Sequence, residues 1–514
     1  MTLINIHPRE YQQKIFETAR SHNTLVVLPT GLGKTLIALM LAIERKKAFP
    51  LSKILFLAPT KPLIEQHFEY FKKHLTELFA DIQLFTGEVP AEKRKKIWQT
   101  AEIIFSTPQC IANDIGKEIY KLNEVSLLVM DEAHRCLKNY DYTKVVERYK
   151  MQADHIHILG LTASPGSDPA IVKQICKHLA IEEIELRTRD SEDVKPYLQE
   201  LNFEKIEVPF PSELEEIRVL LKRIYESKVE QLRNRRLLFE QSNKIVLLQL
   251  QQRLAAQASP SNFNALVGMS LCAQAIKISH ALELLETQTL SGLDIYLQGL
   301  VQQAIEKKSK GVQTLVNSPE FQASLLSLKH LREKDMEHPK IEELAVIIEN
   351  EIKENQKAKV IVFSQFRETV STICARINKI ENIRASAFIG QAKKTKSGSG
   401  MSQRDQKEVV EKFKSGEINV LCATSIGEEG LDIPEVNAVI FYEPIPSAIR
   451  KIQRAGRTAR LAPGKLIILV TKDTRDVHHH YASGARERKM HRTIHNIKEE
   501  MHNSKKIKTL KDFK

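Results

Sequence analysis

The feature that most constrains the fold is a rhythm of short apolar runs that occurs twice along the chain. Between residues 24 and about 180, runs such as TLVVL, KILFLAP and SLLVMDE alternate with amphipathic stretches. The alternation resumes at AKVIVFSQ and continues to KLIILVTK. Strands that alternate with helices in this way form parallel sheets covered by helices. The sequence therefore predicts an α/β protein with two parallel-sheet lobes.

The stretch between the two lobes has a different pattern. In SELEEIRVLLKRIYESKVEQLRNRRLL the apolar residues recur at helical spacing, and almost no strand-like run follows before residue 335. A chain of 514 residues is also too long for a single compact core. We expect four parts: lobe 1 at 1–190, a helical insert domain at 195–335, lobe 2 at 336–472 and a basic helical tail at 473–514.

Charge and cysteine content narrow the class of protein. The formal net charge of +13 favours a polyanionic partner, although a solvated basic surface explains the same excess. The six cysteines are far apart and none forms CxxC, which is typical of a protein in a reducing cytoplasm. The sequence contains no run of 18 apolar residues and no secretory signal at its amino terminus, so we expect no membrane partner.

The segment PTGLGKT lies between the first apolar run and a helical pattern. Gly31 and Gly33 allow a tight turn that directs backbone N–H groups towards phosphate oxygens. Lys34 is placed to reach the β- and γ-phosphates of ATP, and the Thr35 hydroxyl to hold Mg²⁺. A glycine-rich turn that binds nothing would have the same local pattern, so a second signal is needed.

That second signal is LLVMDEAH, an apolar strand that ends in two acids. Adjacent carboxylates at a buried strand end are unfavourable unless a cation is nearby. We therefore expect Asp131 to hold Mg²⁺ and Glu132 to polarise the attacking water.

The third signal, QRAGRTAR, lies in the second lobe. The motif supplies Gln453 and three arginines, Arg454, Arg457 and Arg460, whose spacing by three places them on one side of a helix or turn. When the second lobe supplies them across a cleft, such arginines stabilise the charge on the γ-phosphate during its transfer. We expect these residues to complete the catalytic site when the lobes close.

In their order and spacing these motifs resemble those of superfamily 2 DEAH-box helicases along nearly the whole chain. PREYQQ is similar to the glutamine motif that recognises adenine, and TGLGKT to the superfamily phosphate loop. The resemblance implies that both lobes are RecA-like, with the helical insert domain between them. It also implies that the nucleotide site is lined by Gln12, Thr30, Gly430 and Asp432. It implies nucleic-acid contacts for these residues: Thr60, Lys61, Thr107 and Thr424.

Within the superfamily, LPTGLGKTLIA, FIGQA followed by a basic loop, and the helical insert resemble the archaeal Hef, Fanconi anaemia M and Mph1 group. That resemblance implies an ATP-dependent DNA helicase or translocase that acts on forked or four-way DNA in repair, in a prokaryotic nucleoid. Many Hef chains continue into a nuclease with an ERKxxxD core. Here ERK at 487–489 lacks the Asp of this core, because Thr493 stands four residues after Lys489. We therefore expect no nuclease in this chain, and a separate nuclease or sliding clamp as its partner.

Cations recur along the first helical stretch of the insert. Arg223, Arg233 and Arg236 suit phosphate contacts along a duplex, whereas a solvated face that braces the lobes is the alternative. Two other functions remain open. One is an RNA-dependent helicase of the RIG-I or Dicer type, and the other is a nucleic-acid scaffold with an inactive ATPase core.

Overall fold

The computed structural model describes residues 6–75, 81–137, 140–259, 262–390, 400–424, 433–445 and 463–512, together with residues 447 and 458. Within these ranges the chain forms two parallel α/β lobes and a helical bundle between them, as the sequence predicts.

Lobe 1 is built on a seven-stranded parallel sheet. Its strands are β1 (Thr24–Val27), β2 (Lys53–Leu57), β3 (Ile82–Phe85), β4 (Ile103–Ser106), β5 (Val125–Met130), β6 (Ile158–Thr162) and β7 (Glu183–Leu186). They lie in the order β3-β4-β2-β5-β6-β1-β7. Leu25 and Val27 enter the core on one face and Val26 the core on the other, because strand side chains alternate. Burial on both faces explains the uninterrupted apolar runs.

Helices cover both faces of this sheet. They are α1 (Glu10–Ser21), α2 (Lys34–Ala48), α3 (Lys61–His74), α4 (Ala91–Thr100), α5 (Pro108–Gly116), α6 (Asp141–Gln152) and α7 (Pro169–His178). A 3-10 turn at Ala133–Arg135 follows β5. Helices α2, α3 and α5 each begin shortly after a strand ends, so their amino termini and the strand ends share one edge of the sheet.

The insert follows β8 (Leu201–Val208). Its helices are α8 (Ser212–Asn234), α9 (Lys244–Gln257), α10 (Phe263–Thr287), α11 (Leu290–Ile305), α12 (Lys310–Val316) and α13 (Pro319–Glu333). By length and composition α10 is apolar enough to cross a membrane, but 56% of its most apolar window is buried. Residues of α10 such as Leu271 and Ile278 pack against α8 and α9, so its apolarity builds the core of the insert.

Lobe 2 takes one strand from the stretch that the sequence analysis placed in the insert. Its other strands and helices are α14 (Lys340–Glu354), β9 (Val360–Phe363), α15 (Arg367–Ile377), β10 (Ala385–Phe388), α16 (Gln403–Ser415), β11 (Val420–Ala423), β12 (Ala438–Phe441) and β13 (Gly464–Thr471). The sheet order is β10-β11-β9-β12-β13-β8, and β8 pairs with β13 in parallel.

The expectation of an insert that starts at 195 with almost no strand is therefore wrong for residues 201–208. As an edge strand β8 is half exposed and alternates apolar residues with charged ones, in the sequence LNFEKIEV. This alternation hides it from a search for continuous apolar runs.

The last described helix, α17 (Arg475–Asp512), leaves lobe 2 and runs back to lobe 1. Met490, Ile494 and Ile497 are buried in the lobe 1 core beside α7. Glu500 forms an ion pair with Lys173 of α7 at 2.6 Å. The predicted tail is thus a helix that connects the two lobes.

A buried ion pair joins α14 of lobe 2 to α17, directly beside the end of the insert helix α10. The ammonium of Lys340, at the start of α14, pairs with the Asp476 carboxylate at the start of α17, and both side chains are fully buried. Lys340 Nζ also donates to the Thr287 carbonyl at the end of α10, 3.0 Å away. Asp476 Oδ2 accepts from the Thr471 amide of β13, at 3.0 Å.

A second set of hydrogen bonds reinforces this junction. Gln288 Oε1, between α10 and α11, accepts from the hydroxyls of Ser364 and Thr369 in lobe 2, at 3.2 and 3.0 Å. Arg475 donates to the Ser279 carbonyl of α10 at 2.7 Å. The end of α10 is therefore tied to lobe 2 through buried polar contacts.

Replacing Lys340 with methionine should strongly destabilise this junction. The substitution keeps the length of the side chain but leaves the Asp476 carboxylate buried without its cation, and such losses cost about 3–5 kcal/mol. Thermal unfolding followed by calorimetry should show a clearly lower Tm for the transition of lobe 2 and the insert. Lys353→Met on the same helix removes only an exposed pair with Glu349 and should leave Tm almost unchanged. Equal effects of the two substitutions would contradict the role given to the buried pair.

Candidate nucleotide site and nucleic-acid interface

The predicted phosphate loop forms between β1 and α2. Gly31 and Gly33 have φ of +87° and +80°, in the left-handed region that favours glycine. Lys34 begins α2, and its Nζ donates to the Leu28 carbonyl at 2.8 Å. Thr30 precedes the turn and lines a cavity of about 370 Å³ between the lobes. The glycine turn is followed directly by the amino terminus of α2, a helix end of the kind that binds anions.

Gln12 lies against this loop from α1. Its Nε2 donates to the Leu32 carbonyl at 3.1 Å, and its Oε1 accepts from the Arg9 amide at 2.9 Å. A Cβ at Gly33 would lie 2.3 Å from Gln12 Nε2, so the close packing of the two requires glycine. The structure thus brings Gln12 to the phosphate loop, and its contact with adenine remains a prediction.

Asp131 and Thr35 meet beside the loop through a histidine that the sequence analysis did not identify. Asp131 Oδ2 lies 2.7 Å from His67 Nε2, and Thr35 Oγ1 lies 3.2 Å from His67 Nδ1. Burial tends to raise the pKa of the Asp131 carboxyl, but His67 and Lys34 outweigh burial, so this pKa lies below its usual value. The carboxylate is therefore ionised.

The residues fit a magnesium ion. Asp131 Oδ1 is buried and has no hydrogen-bond partner among the residues that the structure describes. A carboxylate oxygen and a hydroxyl oxygen are hard ligands of the kind that Mg²⁺ prefers. Together with Lys34, they form the charge pattern expected around the phosphates of ATP.

Glu132 follows in a strained backbone conformation. Its φ of +50° is unusual for a residue other than glycine, and such strain persists where the surroundings impose it. Glu132 Oε2 lies 3.2 Å from His134 Nδ1, and the same nitrogen is 3.1 Å from Thr162 Oγ1 at the end of β6. His134 is the last residue of the DEAH motif, which is the signal that should have identified it as a site residue.

Thr162 connects this site to α17. Its Oγ1 accepts from the Ser164 amide at 3.1 Å, and the Ser164 hydroxyl contacts Met490 Sδ of α17. Contacts thus continue from Glu132 through His134, Thr162 and Ser164 to α17.

The residues predicted to contact nucleic acid in lobe 1 share one edge of the sheet. Thr60 and Thr107 follow the paired strands β2 and β4, and each precedes a helix without capping it through its side chain. Thr60 Oγ1 is buried without a hydrogen-bond partner in the described part of the chain. Lys61 pairs with Glu88 at 2.6 Å, and Thr424 follows β11 in lobe 2. Phosphate binding by these four residues remains a prediction.

Six predicted residues lie outside the described residues. They are Gly430, Asp432, Gln453, Arg454, Arg457 and Arg460. The contribution of lobe 2 to the nucleotide site therefore remains a prediction.

The insert cations are exposed but not uniform in their surroundings. Arg223 shares its face of α8 with Glu226 and Glu230, whereas Arg233 and Arg236 lie at the far end of the helix. The positive charge is thus concentrated where α8 ends.

Three protein-family models match the chain in succession. "DEAD/DEAH box helicase" matches residues 9–172, "Putative ATP-dependent RNA helicase, helical bundle" matches 213–335, and "Helicase conserved C-terminal domain" matches 339–462. These matches follow lobe 1, the insert and lobe 2.

Solved and curated relatives cover nearly the whole chain. The crystal structure of the Pyrococcus furiosus Hef helicase domain has a TM-score of 0.72 and 40% identity, and covers 94% of this chain and 100% of that chain. "Putative ATP-dependent RNA helicase MJ1505" of Methanocaldococcus jannaschii is 37% identical over 96% of this chain and 61% of its own length. "ATP-dependent DNA helicase fml1" of Schizosaccharomyces pombe is 33% identical over 91% and 57%, respectively. The chain thus spans about three fifths of these two curated relatives.

A phosphate loop and strand-end acids on one parallel lobe, with a second parallel lobe beside it, are the arrangement of superfamily 2 helicases, and the matching family models are those of helicases. Within that superfamily, the chain belongs to the Hef, Fanconi anaemia M and Mph1 group.

Two substitutions separate nucleotide binding from hydrolysis. Lys34→Ala should abolish ATP hydrolysis, because the phosphates lose their ammonium contact. Glu132→Gln should bind ATP but lower kcat about 10²–10⁴-fold, the usual contribution of a general base. Steady-state ATPase assays and fluorescent-nucleotide binding measure the two effects. The control Lys47→Ala, exposed in the last turn of α2, should behave as wild type. Near-normal turnover by Glu132→Gln would exclude it as the base.

Proposed function

We propose that this chain is an ATP- and Mg²⁺-dependent DNA helicase or translocase that remodels forked or four-way DNA during repair and recombination. The observation that carries the proposal is an insert with a cationic end that is fixed to lobe 2 by buried contacts. Any movement of lobe 2 during an ATP cycle would therefore also move a surface suited to DNA phosphates.

We assign the roles of the site residues from the motifs to which they belong, together with the contacts of those in lobe 1. Lys34 and the backbone N–H groups of the phosphate loop bind and orient the phosphates. Thr35 and Asp131 would hold Mg²⁺, which neutralises charge that develops on the phosphate oxygens. Glu132 accepts the proton of the attacking water. Gln12 selects adenine, and Arg457 and Arg460 approach from lobe 2 as the cleft closes.

Nucleic acid would bind along the edge where strands end and helices begin. Thr60, Lys61 and Thr107 from lobe 1 and Thr424 from lobe 2 would contact phosphates of one strand. A second duplex arm would then reach Arg233 and Arg236 at the end of α8. Binding at both places gives a preference for branched substrates.

DNA is favoured over RNA by the name of the Schizosaccharomyces relative and by the likeness to the Hef helicase domain. RNA is the second candidate, because the Methanocaldococcus relative and the insert family both have RNA helicase in their names. ATPase assays with forked DNA, single-stranded DNA and duplex RNA at equal phosphate concentration separate the candidates. We expect the strongest stimulation by forked DNA, whereas stimulation by duplex RNA alone would overturn the proposal.

The wider setting of the protein follows from the same proposal. A helicase that remodels junctions works with enzymes that cut or copy DNA, so we propose a separate nuclease or a sliding clamp as partner. We also propose that it acts in the cytoplasm, at the nucleoid. The four parts at 1–190, 195–335, 336–472 and 473–514 are the proposed functional units, with β8 reassigned to lobe 2.

Charge reversal at the insert should reduce junction preference. The variant combines Arg223→Glu, Lys228→Glu, Arg233→Glu and Arg236→Glu. We expect weaker binding to forked and four-way DNA and much less change for single strands. Each lost phosphate contact should lower the magnitude of the log–log salt slope by about 0.9 on duplex DNA. Fluorescence anisotropy at several salt concentrations measures both quantities.

A matched control reverses four exposed lysines elsewhere in the insert. They are Lys307, Lys308, Lys329 and Lys334. The control has the same change in net charge and should retain junction preference. If both quadruple variants lose affinity equally for every substrate, the insert supports the lobes and contributes general positive charge, but it does not recognise junctions.

A further inference from the structure

His67 lies between the two side chains that would hold the metal ion. It is on α3, and its imidazole is buried between Thr35 of α2 and Asp131 at the end of β5. Its nitrogens lie 3.2 Å from Thr35 Oγ1 and 2.7 Å from Asp131 Oδ2. One side chain thus contacts both oxygen donors of the proposed magnesium site.

The chemistry of the partners determines where the protons lie. An ionised carboxylate only accepts hydrogen bonds, so His67 Nε2 carries a hydrogen and donates it to Asp131. The other ring nitrogen, Nδ1, lies within hydrogen-bond distance of the Thr35 hydroxyl. The same ring thus holds the Thr35 hydroxyl and the Asp131 carboxylate in fixed positions relative to each other.

The surrounding residues hold this arrangement in place. The ring of His67 packs on Phe56 of β2, with centroids 4.6 Å apart. The Asp131 amide donates to the Leu57 carbonyl at 2.9 Å, and the Tyr142 hydroxyl donates to the Asp131 carbonyl at 2.6 Å. Because Oδ2 is engaged by His67, Oδ1 is the oxygen left for a cation or its water.

We propose that His67 is a positioning residue that sets the metal affinity of the nucleotide site by orienting Thr35 and Asp131. This inference rests on the proposed role of Mg²⁺ in the same site. Hydrogen-bonded partners of metal ligands typically change metal affinity 10–100-fold when they are removed. His67 contacts two ligands at once, and we expect an effect within that range.

The test uses the full chain with ADP and Mn²⁺, a paramagnetic substitute for Mg²⁺ that is measured by electron paramagnetic resonance. His67→Leu fills the space beside Phe56 but removes both hydrogen bonds. His67→Gln supplies an acceptor and a donor on one side chain, and should restore most of the affinity. His74→Ala, on the same helix and in contact with Tyr70, is the matched control. ADP binding is also measured in EDTA, where no metal contributes.

We expect the Kd of Mn²⁺ to rise about 10–100-fold in His67→Leu, with ADP binding in EDTA within twofold of wild type. If leucine prevents folding, His67→Asn is the alternative, since its amide is too short to reach both Thr35 and Asp131. Unchanged Mn²⁺ affinity in a folded variant, or an equal loss of ADP binding in EDTA, would overturn the inference. Absence of Mn²⁺ binding by the wild-type ADP complex would instead overturn the proposed metal role itself.

Discussion

The buried ion pair between Lys340 and Asp476 determines which parts of this chain can move together. Both charges are removed from water, so neither can leave the other without a large loss of stability. The pair lies where α10, α14, β13 and α17 meet, and Gln288 adds hydrogen bonds to lobe 2 beside it. These contacts hold the insert and lobe 2 together. The ion pair also holds the first turn of α17 in place.

The proposed nucleotide site lies in lobe 1, across the cleft from lobe 2 and the insert. Glu132, His134 and Thr162 are in contact within lobe 1, and Ser164 extends the chain of contacts to Met490 of α17. Helix α17 thus touches the catalytic lobe at one end and is fixed to lobe 2 at the other. A structural change around Glu132 that displaces Ser164 would be transmitted to α17. The first residues of this helix cannot move independently of lobe 2 and the insert.

The local geometry of the proposed nucleotide site in lobe 1 was largely predictable because its signals are local. A phosphate loop needs two glycines, a lysine and a threonine within a few residues, and DEAH needs a strand end, so spacing alone identifies both. The contacts of His67 were not predictable, because they unite three segments that only the sheet order brings together. Lys340 is equally inconspicuous in HPKIEEL. Edge strand β8 was missed because half of its residues are exposed and polar or charged residues interrupt its apolar ones.

The contacts across the cleft between the two lobes differ from the buried contacts that join the insert to lobe 2. Lys407 of α16 pairs with Glu65 of α3 at 3.1 Å, and Glu65 and Glu88 both lie near Lys61. These pairs are exposed, so water and salt screen them and they contribute little to stability. Phosphates at this edge would replace the acids as partners of Lys61 and Lys407 without breaking any buried contact. Under the proposed function, nucleic acid bound at this edge would therefore change how the lobes meet without breaking the buried contacts between the insert and lobe 2.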